Sequence, residues 1–205
     1  MDGQGILLVV SGPSGVGKGT ICSGLLRNHP DISYSVSVTT RQPRPGERDG
    51  EDYFFISRQR FACMRDQGEL LEWAEVFGNY YGTPRAQVMQ RLQAGENVML
   101  EIDTQGALQV KSSYPECVMV FIWPPSYREL ERRIVGRGTE TPETLQLRLH
   151  DARREMQRVI NYDYVVVNRP GRVNEAIRDL EAIIQAERAR VDRQIAWLRQ
   201  ALQEV

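Results

Sequence analysis

A glycine-rich stretch near the start of the chain has the residue types that bind phosphate. Gly12 and Gly17 are separated by four residues, and Lys18 follows directly. Glycines let backbone N–H groups turn inward around phosphate oxygens, and the lysine can reach the terminal phosphates of a nucleotide. An apolar run at residues 6–10 precedes the stretch and a helical pattern follows it, which is the context of a P-loop. The residues predicted to form this nucleotide-binding loop are Gly12, Pro13, Ser14, Gly15, Val16, Gly17, Lys18, Gly19 and Thr20.

Position 19 departs from the usual P-loop pattern. That pattern has Ser or Thr after the lysine, where the hydroxyl holds Mg²⁺, whereas this chain has Gly19 followed by Thr20. A Gly-Lys-Gly-Thr ending occurs among nucleoside-monophosphate kinases, so the prediction of a phosphate site stands. The protein groups that would hold a metal ion stay open.

A second segment has cations suited to another phosphate group. Arg41 and Arg44 are three residues apart in a stretch rich in proline, glycine and charge, residues 41–52. Guanidinium groups bind phosphate oxygens in pairs. The two arginines alone are equally compatible with a solvated surface loop.

Five ordered stretches, spread over about residues 5 to 185, resemble the guanylate kinase family. They are Ser37-Val38-Thr39-Thr40-Arg41-Gln42-Pro43-Arg44-Pro45-Gly46-Glu47 with Gly50, Asp52 and Tyr53; Glu72-Trp73-Ala74 with Gly78-Asn79-Tyr80-Tyr81-Gly82-Thr83; Glu101-Ile102-Asp103 with Gln105 and Gly106; Gly136-Arg137-Gly138-Thr139-Glu140; and Arg148-Leu149. The resemblance implies an enzyme that transfers the γ-phosphoryl group of ATP to GMP, with Mg²⁺ bridging the β- and γ-phosphates.

The resemblance also implies roles for individual residues. The GMP-binding residues would be Ser37, Arg41, Arg44, Tyr53, Glu72, Tyr81, Thr83 and Asp103. Among these, the arginines and tyrosines match positions that bind the phosphate, and the others match positions that reach the base. Arg137 and Arg148 match a lid at about residues 137–150 that closes over ATP, and Asn168 matches a position near the adenine. The predicted catalytic residues are Lys18, Arg41, Arg137 and Arg148.

The two carboxylates fit guanine for a chemical reason. Guanine presents N1–H and amino donors on its Watson–Crick edge, and an ionised carboxylate such as Glu72 or Asp103 only accepts hydrogen bonds. Adenine has an acceptor at N1, so the same pocket would leave buried groups unpaired. The sequence therefore predicts GMP as the acceptor. The alternatives are a non-catalytic guanylate-kinase-like module that binds proteins, or a kinase for another nucleoside monophosphate.

Regular elements must position these residues. Apolar strand patterns at residues 6–10, 98–103, 118–123 and 164–167 alternate with helical patterns, which predicts an α/β fold with a parallel sheet covered on both faces, the core of a P-loop NTPase. Residues 35–84 are predicted to form a β-rich GMP-binding insertion, leaving 1–34 and 85–205 as the core. Within the insertion, residues 79–82 are interpreted as a turn. From residue 172 onward the chain is predicted to be helical.

Composition limits the function classes and the partners. A formal net charge of −1 argues against a surface built for nucleic acid. The three cysteines have no metal-ligand spacing, and neither a secretory signal nor an apolar run of membrane-spanning length is expected. We therefore expect a cytoplasmic protein with ATP and GMP as partners, and neither nucleic acid nor membrane. The predicted C-terminal helix has an apolar stripe of Val191, Ile195, Leu198 and Leu202. This stripe is interpreted as packing on the chain's own surface, and the alternative is a homo-oligomer that forms through this helix.

Overall fold

Nine strands and eight α-helices make up the part of the chain that the computed structural model describes, residues 4–76, 78–136 and 142–203. The strands are β1 (Leu7–Ser11), β2 (Ile32–Tyr34), β3 (Val38–Thr39), β4 (Phe54–Phe55), β5 (Leu70–Val76), β6 (Asn79–Pro84), β7 (Asn97–Glu101), β8 (Val118–Trp123) and β9 (Tyr164–Val167). The helices are α1 (Lys18–Asn28), α2 (Arg58–Asp66), α3 (Arg85–Gln93), α4 (Thr104–Ser113), α5 (Tyr127–Val135), α6 (Pro142–Gln157), α7 (Val173–Arg188) and α8 (Val191–Gln203). A 3₁₀ turn, Arg158–Asn161, follows α6.

A five-stranded parallel sheet forms the centre of the fold. Its strand order is β2-β7-β1-β8-β9, so the P-loop strand β1 lies between β7 and β8. In such a sheet ligands bind at the carboxyl ends of the strands, beside the strand where the chain order reverses. The predicted α/β class with a parallel P-loop core is confirmed.

Burial on both faces of this sheet explains why its strands are continuously apolar. Side chains alternate along β1: Leu8 and Val10 join the cluster under α1, α5 and α7, whereas Leu7 and Val9 join the cluster under α3 and α4. All four are at most 2% exposed. Each strand therefore holds its C-terminal residues rigidly at the same edge of the sheet.

A second, smaller sheet has the order β4-β3-β6-β5. Its members β3, β6 and β5 pair antiparallel, and α2 covers it through Phe61 and Met64. Helix α4 connects the two sheets, because the Gln109 side chain both accepts from the Trp73 N–H at 3.0 Å and donates to the Trp73 carbonyl at 2.9 Å. This bridge fixes β5 against the helix that follows β7.

Two sequence predictions of strands and turns were wrong. Residues 79–82 are not a turn but belong to β6, where Tyr80 and Tyr81 favour a strand and Gly82 allows a close approach: a Cβ there would lie 3.0 Å from the Glu72 carbonyl oxygen. The parallel sheet has five strands where four were predicted. The missing one, β2, is an edge strand of three residues, too short and too polar to show a buried pattern.

The C-terminal region also differs from its prediction. The helix expected from residue 172 is divided into α7 and α8, and the N–H of Ala189 donates back to the Ala186 carbonyl at 3.1 Å where α7 ends. Val191, Ile195 and Leu202 are exposed, so the interpretation that this stripe packs on the chain's own surface was wrong for these residues. Association of copies through α8 stays a prediction. Within the described ranges, no helix is both long enough and apolar enough to cross a bilayer.

Candidate active site

The P-loop connects β1 to α1, and its lysine folds back over it. Gly17 has a φ of 96°, a conformation that L side chains rarely adopt, and helix α1 starts at the next residue. The Lys18 ammonium donates to the carbonyl oxygen of Gly12 at 2.7 Å. Burial lowers the pKa of Lys18 below its ordinary value, although nearby carboxylates oppose that shift. All nine predicted loop residues lie in this one turn, with Gly19 and Thr20 exposed at the start of α1.

Asn168 supports the loop from the end of β9. Its side-chain Nδ2 donates to the carbonyl of Val16 at 2.7 Å, and its backbone carbonyl accepts from the Arg133 guanidinium at 3.1 Å. Arg133 also donates to the Val16 carbonyl at 2.9 Å, so this arginine joins α5 to the loop. A pocket of about 540 Å³ opens beside these residues and is lined by Gly15, Gly17, Arg132, Gly136, Asn168 and Arg169.

Asp103 lies at the end of β7 and caps α4. Its Oδ1 accepts from the N–H groups of Gln105 and Gly106 at 2.7 and 2.8 Å, which fixes the carboxylate at the positive end of the helix. The cap explains why the chain turns from strand to helix here. It also holds one carboxylate at the edge of the sheet beside the P-loop.

Glu72 is the second predicted base-binding carboxylate and is buried, at 6% exposed. Its Oε1 accepts from the Thr83 hydroxyl at 2.6 Å, across the β5–β6 pair. Its Oε2 lies beside α4, where a Cβ on Gly106 would come within 2.6 Å of it. Burial raises the pKa of Glu72 to about 7, the Thr83 hydrogen bond opposes the shift and the charge of Asp103 adds to it. Glu72, Thr83 and Asp103 therefore lie close to one another.

Arg41 and two tyrosines lie together at the second sheet, where Arg41 follows β3, Tyr53 precedes β4 and Tyr81 belongs to β6. The Arg41 guanidinium lies 5.5 Å from the centre of the Tyr53 ring, and the rings of Tyr53 and Tyr81 are 5.9 Å apart. Arg41 also forms an ion pair of 2.8 Å with Glu47, and this hydrogen bond, with a smaller contribution from the Tyr81 hydroxyl, raises the pKa of Arg41. Glu47 thus holds the guanidinium in place beside two phenols. The three groups place one cation and two phenol hydroxyls in one region, a combination that could bind an anion.

Of the four remaining predicted site residues, the structure describes three. The Arg44 side chain is exposed, and its backbone N–H donates to Glu47 at 2.7 Å. Ser37 is half-buried, and its carbonyl accepts from the N–H of Phe54. Arg148 is half-buried on α6. Arg137 and the first part of the predicted lid lie outside the described residues.

Sequence reasoning missed two acidic residues at the P-loop. In decreasing order of strength, Glu155, Glu101 and Asp103 raise the pKa of Lys18 against the effect of burial. Glu101 lies opposite Val10 at the end of β7, and this position beside the P-loop strand was a signal that could have identified it. Glu155 accepts from the Ser14 N–H at 3.0 Å although it is 141 residues away along the chain, and no sequence pattern pointed to it.

Oxygen atoms near the loop suit a hard cation. Within the described ranges, no group of three or more His, Cys, Asp and Glu side chains is arranged to hold a metal ion. A Cβ at Gly19 would lie 3.5 Å from a carboxylate oxygen of Glu101, and the exposed Thr20 follows. Mg²⁺ prefers oxygen ligands, keeps several waters and is commonly bound through substrate phosphates with one or two carboxylates. This donor set fits Mg²⁺ that arrives with a nucleotide.

Comparison with known proteins agrees with this geometry. A profile described as guanylate kinase matches residues 4–187. The chain is 55% identical to a guanylate kinase of Desulfitobacterium hafniense (strain Y51) over 190 residues, covering 93% of this chain and 94% of the relative. It is 52% identical to a guanylate kinase of Clostridium perfringens (strain ATCC 13124) over 192 residues, covering 94% and 88%.

A solved structure is similar over nearly the same length. The crystal structure of guanylate kinase from Anaplasma phagocytophilum superimposes with a TM-score of 0.75 at 37% identity, covering 94% of this chain and 90% of that one. Each of these relatives is named as a kinase, so the alternative of a non-catalytic protein-binding module is set aside. The chain therefore belongs to the guanylate kinase family of P-loop nucleoside-monophosphate kinases, which transfer the γ-phosphoryl group of ATP to GMP.

Proposed function

We propose that one cleft between the two sheets binds GMP and the ATP phosphates at opposite ends and that Asp103 lies at their junction. The observation that carries this proposal is that the charge of Asp103 acts on both ends: it raises the pKa of Glu72, and it opposes the lowering of the pKa of Lys18. A base-binding carboxylate and the P-loop lysine are therefore close to the same group. A nucleoside monophosphate bound at Glu72 would extend toward the P-loop.

The residues of the second sheet would hold GMP. Glu72 and Asp103 accept from the N1–H and amino group of guanine, while Thr83 and Ser37 contact the base through hydroxyls. Arg41, with Tyr53 and Tyr81, binds the phosphate dianion, and Arg44 adds a second guanidinium from its exposed loop. The close grouping of Arg41 with both tyrosines supports this division.

The P-loop would hold ATP. Its backbone N–H groups and Lys18 bind the phosphates, and the pocket at Asn168 receives the adenine. Glu101 and Thr20 lie where they would hold Mg²⁺ or its water ligands. When bound, Mg²⁺ neutralises charge on the β- and γ-phosphates.

Phosphoryl transfer needs no general base here. A phosphate oxygen of GMP, already ionised near neutral pH, attacks the γ-phosphorus in line, and ADP leaves. Lys18 and Arg41 stabilise the charge that spreads over the transferring group, and Arg137 and Arg148 join them from the lid. We further propose that residues 35–84 act as a GMP-binding unit against the core, and that closure excludes water.

The free thiols support a reducing compartment. Cys22, Cys63 and Cys117 form no disulfide. Structural disulfides are rare in the cytosol, where thiols are kept reduced. We therefore propose a cytoplasmic location.

The chain offers a matched pair of lysines for testing the role of Lys18. Only Lys18 and Lys111 are lysines, and Lys111 pairs with Asp163 at 3.2 Å, away from the P-loop. Lys18→Ala should lower kcat by about two to three orders of magnitude, as for loss of one charge-stabilising group, while the Kd for GMP by calorimetry stays within about threefold. Lys111→Ala should keep near-normal turnover. Normal turnover in Lys18→Ala, or an equal loss in Lys111→Ala, would contradict the assignment.

A further inference from the structure

Glu155 is an acidic side chain at the phosphate loop for which the reaction has no use. Its Oε2 accepts from the Ser14 N–H at 3.0 Å. It is also the carboxylate that acts most strongly on the Lys18 ammonium. A backbone N–H and the lysine are the groups that phosphate oxygens bind in a P-loop. The carboxylate therefore occupies an amide that a nucleotide phosphate would use, and its charge acts on Lys18 from nearby.

A phosphate group and the Glu155 carboxylate cannot both use the Ser14 N–H. The charged groups facing Glu155 are Lys18 and Arg158, which favour its ionised form, and Asp103, which disfavours it. Arg158 is itself hydrogen-bonded to the Thr104 hydroxyl at 2.7 Å. Adding the negative charges of ATP beside Glu155 and Asp103 is unfavourable unless the Glu155 side chain moves away.

We propose that Glu155 is an internal competitor of the ATP phosphates for the Ser14 amide and Lys18, and that nucleotide binding displaces its carboxylate. This inference rests on the P-loop being the ATP site, as proposed above. Competition weakens the binding of ATP and ADP alike. It also speeds the dissociation of ADP, because the Glu155 carboxylate re-forms its hydrogen bond with the Ser14 N–H as the product leaves.

The displacement is a rotation of the side chain more than a movement of the helix. Ala152, one turn before Glu155 on α6, is fully buried, and Leu149 and Met156 pack against the same core cluster. These contacts keep this part of α6 docked on the sheet. A glutamate has three side-chain torsions, so its carboxylate can leave the loop without unfolding the helix.

The direction of a change in nucleotide affinity tests this proposal. Glu155→Gln keeps the shape of the side chain and removes its charge. We expect the Kd values for ATP and for ADP, measured by calorimetry, to fall about tenfold, which corresponds to about 1.4 kcal/mol. The matched control is Asp151→Asn, which removes one charge from an exposed position one turn earlier on the same helix and should change both Kd values less than twofold. Thermal unfolding of both variants verifies that they are folded.

Each other result overturns the proposal. An unchanged or raised Kd in Glu155→Gln would mean that Glu155 holds the loop in its binding geometry and does not compete. Equal tightening in Asp151→Asn would mean that general charge on α6, and not the Ser14 contact, sets the affinity. A wild-type protein that fails to bind ATP would instead contradict the P-loop assignment itself, so the two failures are distinguishable.

Discussion

Replacing Glu72 by Gln should make the protein more stable and less active. Folding buries this carboxyl group to 6% exposure and raises its pKa from the ordinary 4.5 to about 7. The folded protein therefore holds the Glu72 proton more tightly than the unfolded chain does. The ionised form that guanine needs is the form that burial disfavours.

The size and sign of the effect follow from this shift. A change from 4.5 to about 7 is about 2.5 pH units, worth about 3 kcal/mol at about 1.4 kcal/mol per unit. Below pH 4.5 the Glu72 carboxyl group is protonated in both the folded and the unfolded protein, so it does not lower the free energy of unfolding. As the pH rises through about 7, the unfolded chain releases its proton first, and the wild-type protein loses up to about 3 kcal/mol of stability. Gln has no such loss and can still accept from the Thr83 hydroxyl.

Urea unfolding at about pH 5 and about pH 8 measures this difference. The free energy of unfolding of Glu72→Gln, relative to that of the wild type, should increase by up to about 3 kcal/mol from the lower to the higher pH. The KM of this variant for GMP should rise at least about tenfold. Glu75→Gln is the matched control on the same strand, because Glu75 is exposed, and it should stay within about 0.5 kcal/mol of the wild type at both. A stability difference between Glu72→Gln and wild type that does not vary with pH would refute the reasoning.

Two further substitutions test the anion sites. Arg41→Lys should raise the KM for GMP by about ten- to a hundredfold in steady-state assays, because an ammonium cannot fork across two phosphate oxygens; an unchanged KM would remove Arg41 from the phosphate site. Gly17→Ala should abolish ATP binding in calorimetry and lower the free energy of unfolding by about 1–3 kcal/mol, because its φ is 96° and a Cβ would lie 2.6 Å from Asn168 Nδ2. Gly46→Ala is the control, because Gly46 has a similar φ of 90° but nothing lies within 4 Å of the added Cβ. Equal losses of ATP binding and of unfolding free energy in the two variants would assign the effect to backbone strain alone.

Local signals in the sequence predicted most of the core. Strands β1, β7 and β8 are buried on both faces, so their sequences are apolar runs that predict strands. The edge strand β2 was missed because it has only three residues, and β6 was interpreted as a turn because of its asparagine and glycine. In the folded protein β2 pairs with β7, which is distant in sequence, whereas β6 forms a hairpin with β5 and also pairs with β3.

The residues of the candidate site also divide into those that have a local sequence signal and those that do not. Lys18, Arg41, Glu72 and Asp103 were predicted because motifs of a known family mark them. Glu155 was not found, because its only relation to the P-loop is a hydrogen bond made by folding. Arg133 was not found either, since its contacts with Val16 and Asn168 join three separate elements.

The central claim is that the cleft at Glu72 and Asp103 selects guanine for phosphorylation by ATP. The most direct test is a coupled assay of ADP release with GMP, AMP, CMP and UMP as acceptors, in the presence of ATP and Mg²⁺. We predict that kcat/KM for GMP exceeds that for AMP by at least about a hundredfold, because adenine presents the N1 lone pair and a C2–H where guanine presents two hydrogen-bond donors. Equal rates with GMP and AMP would contradict the account.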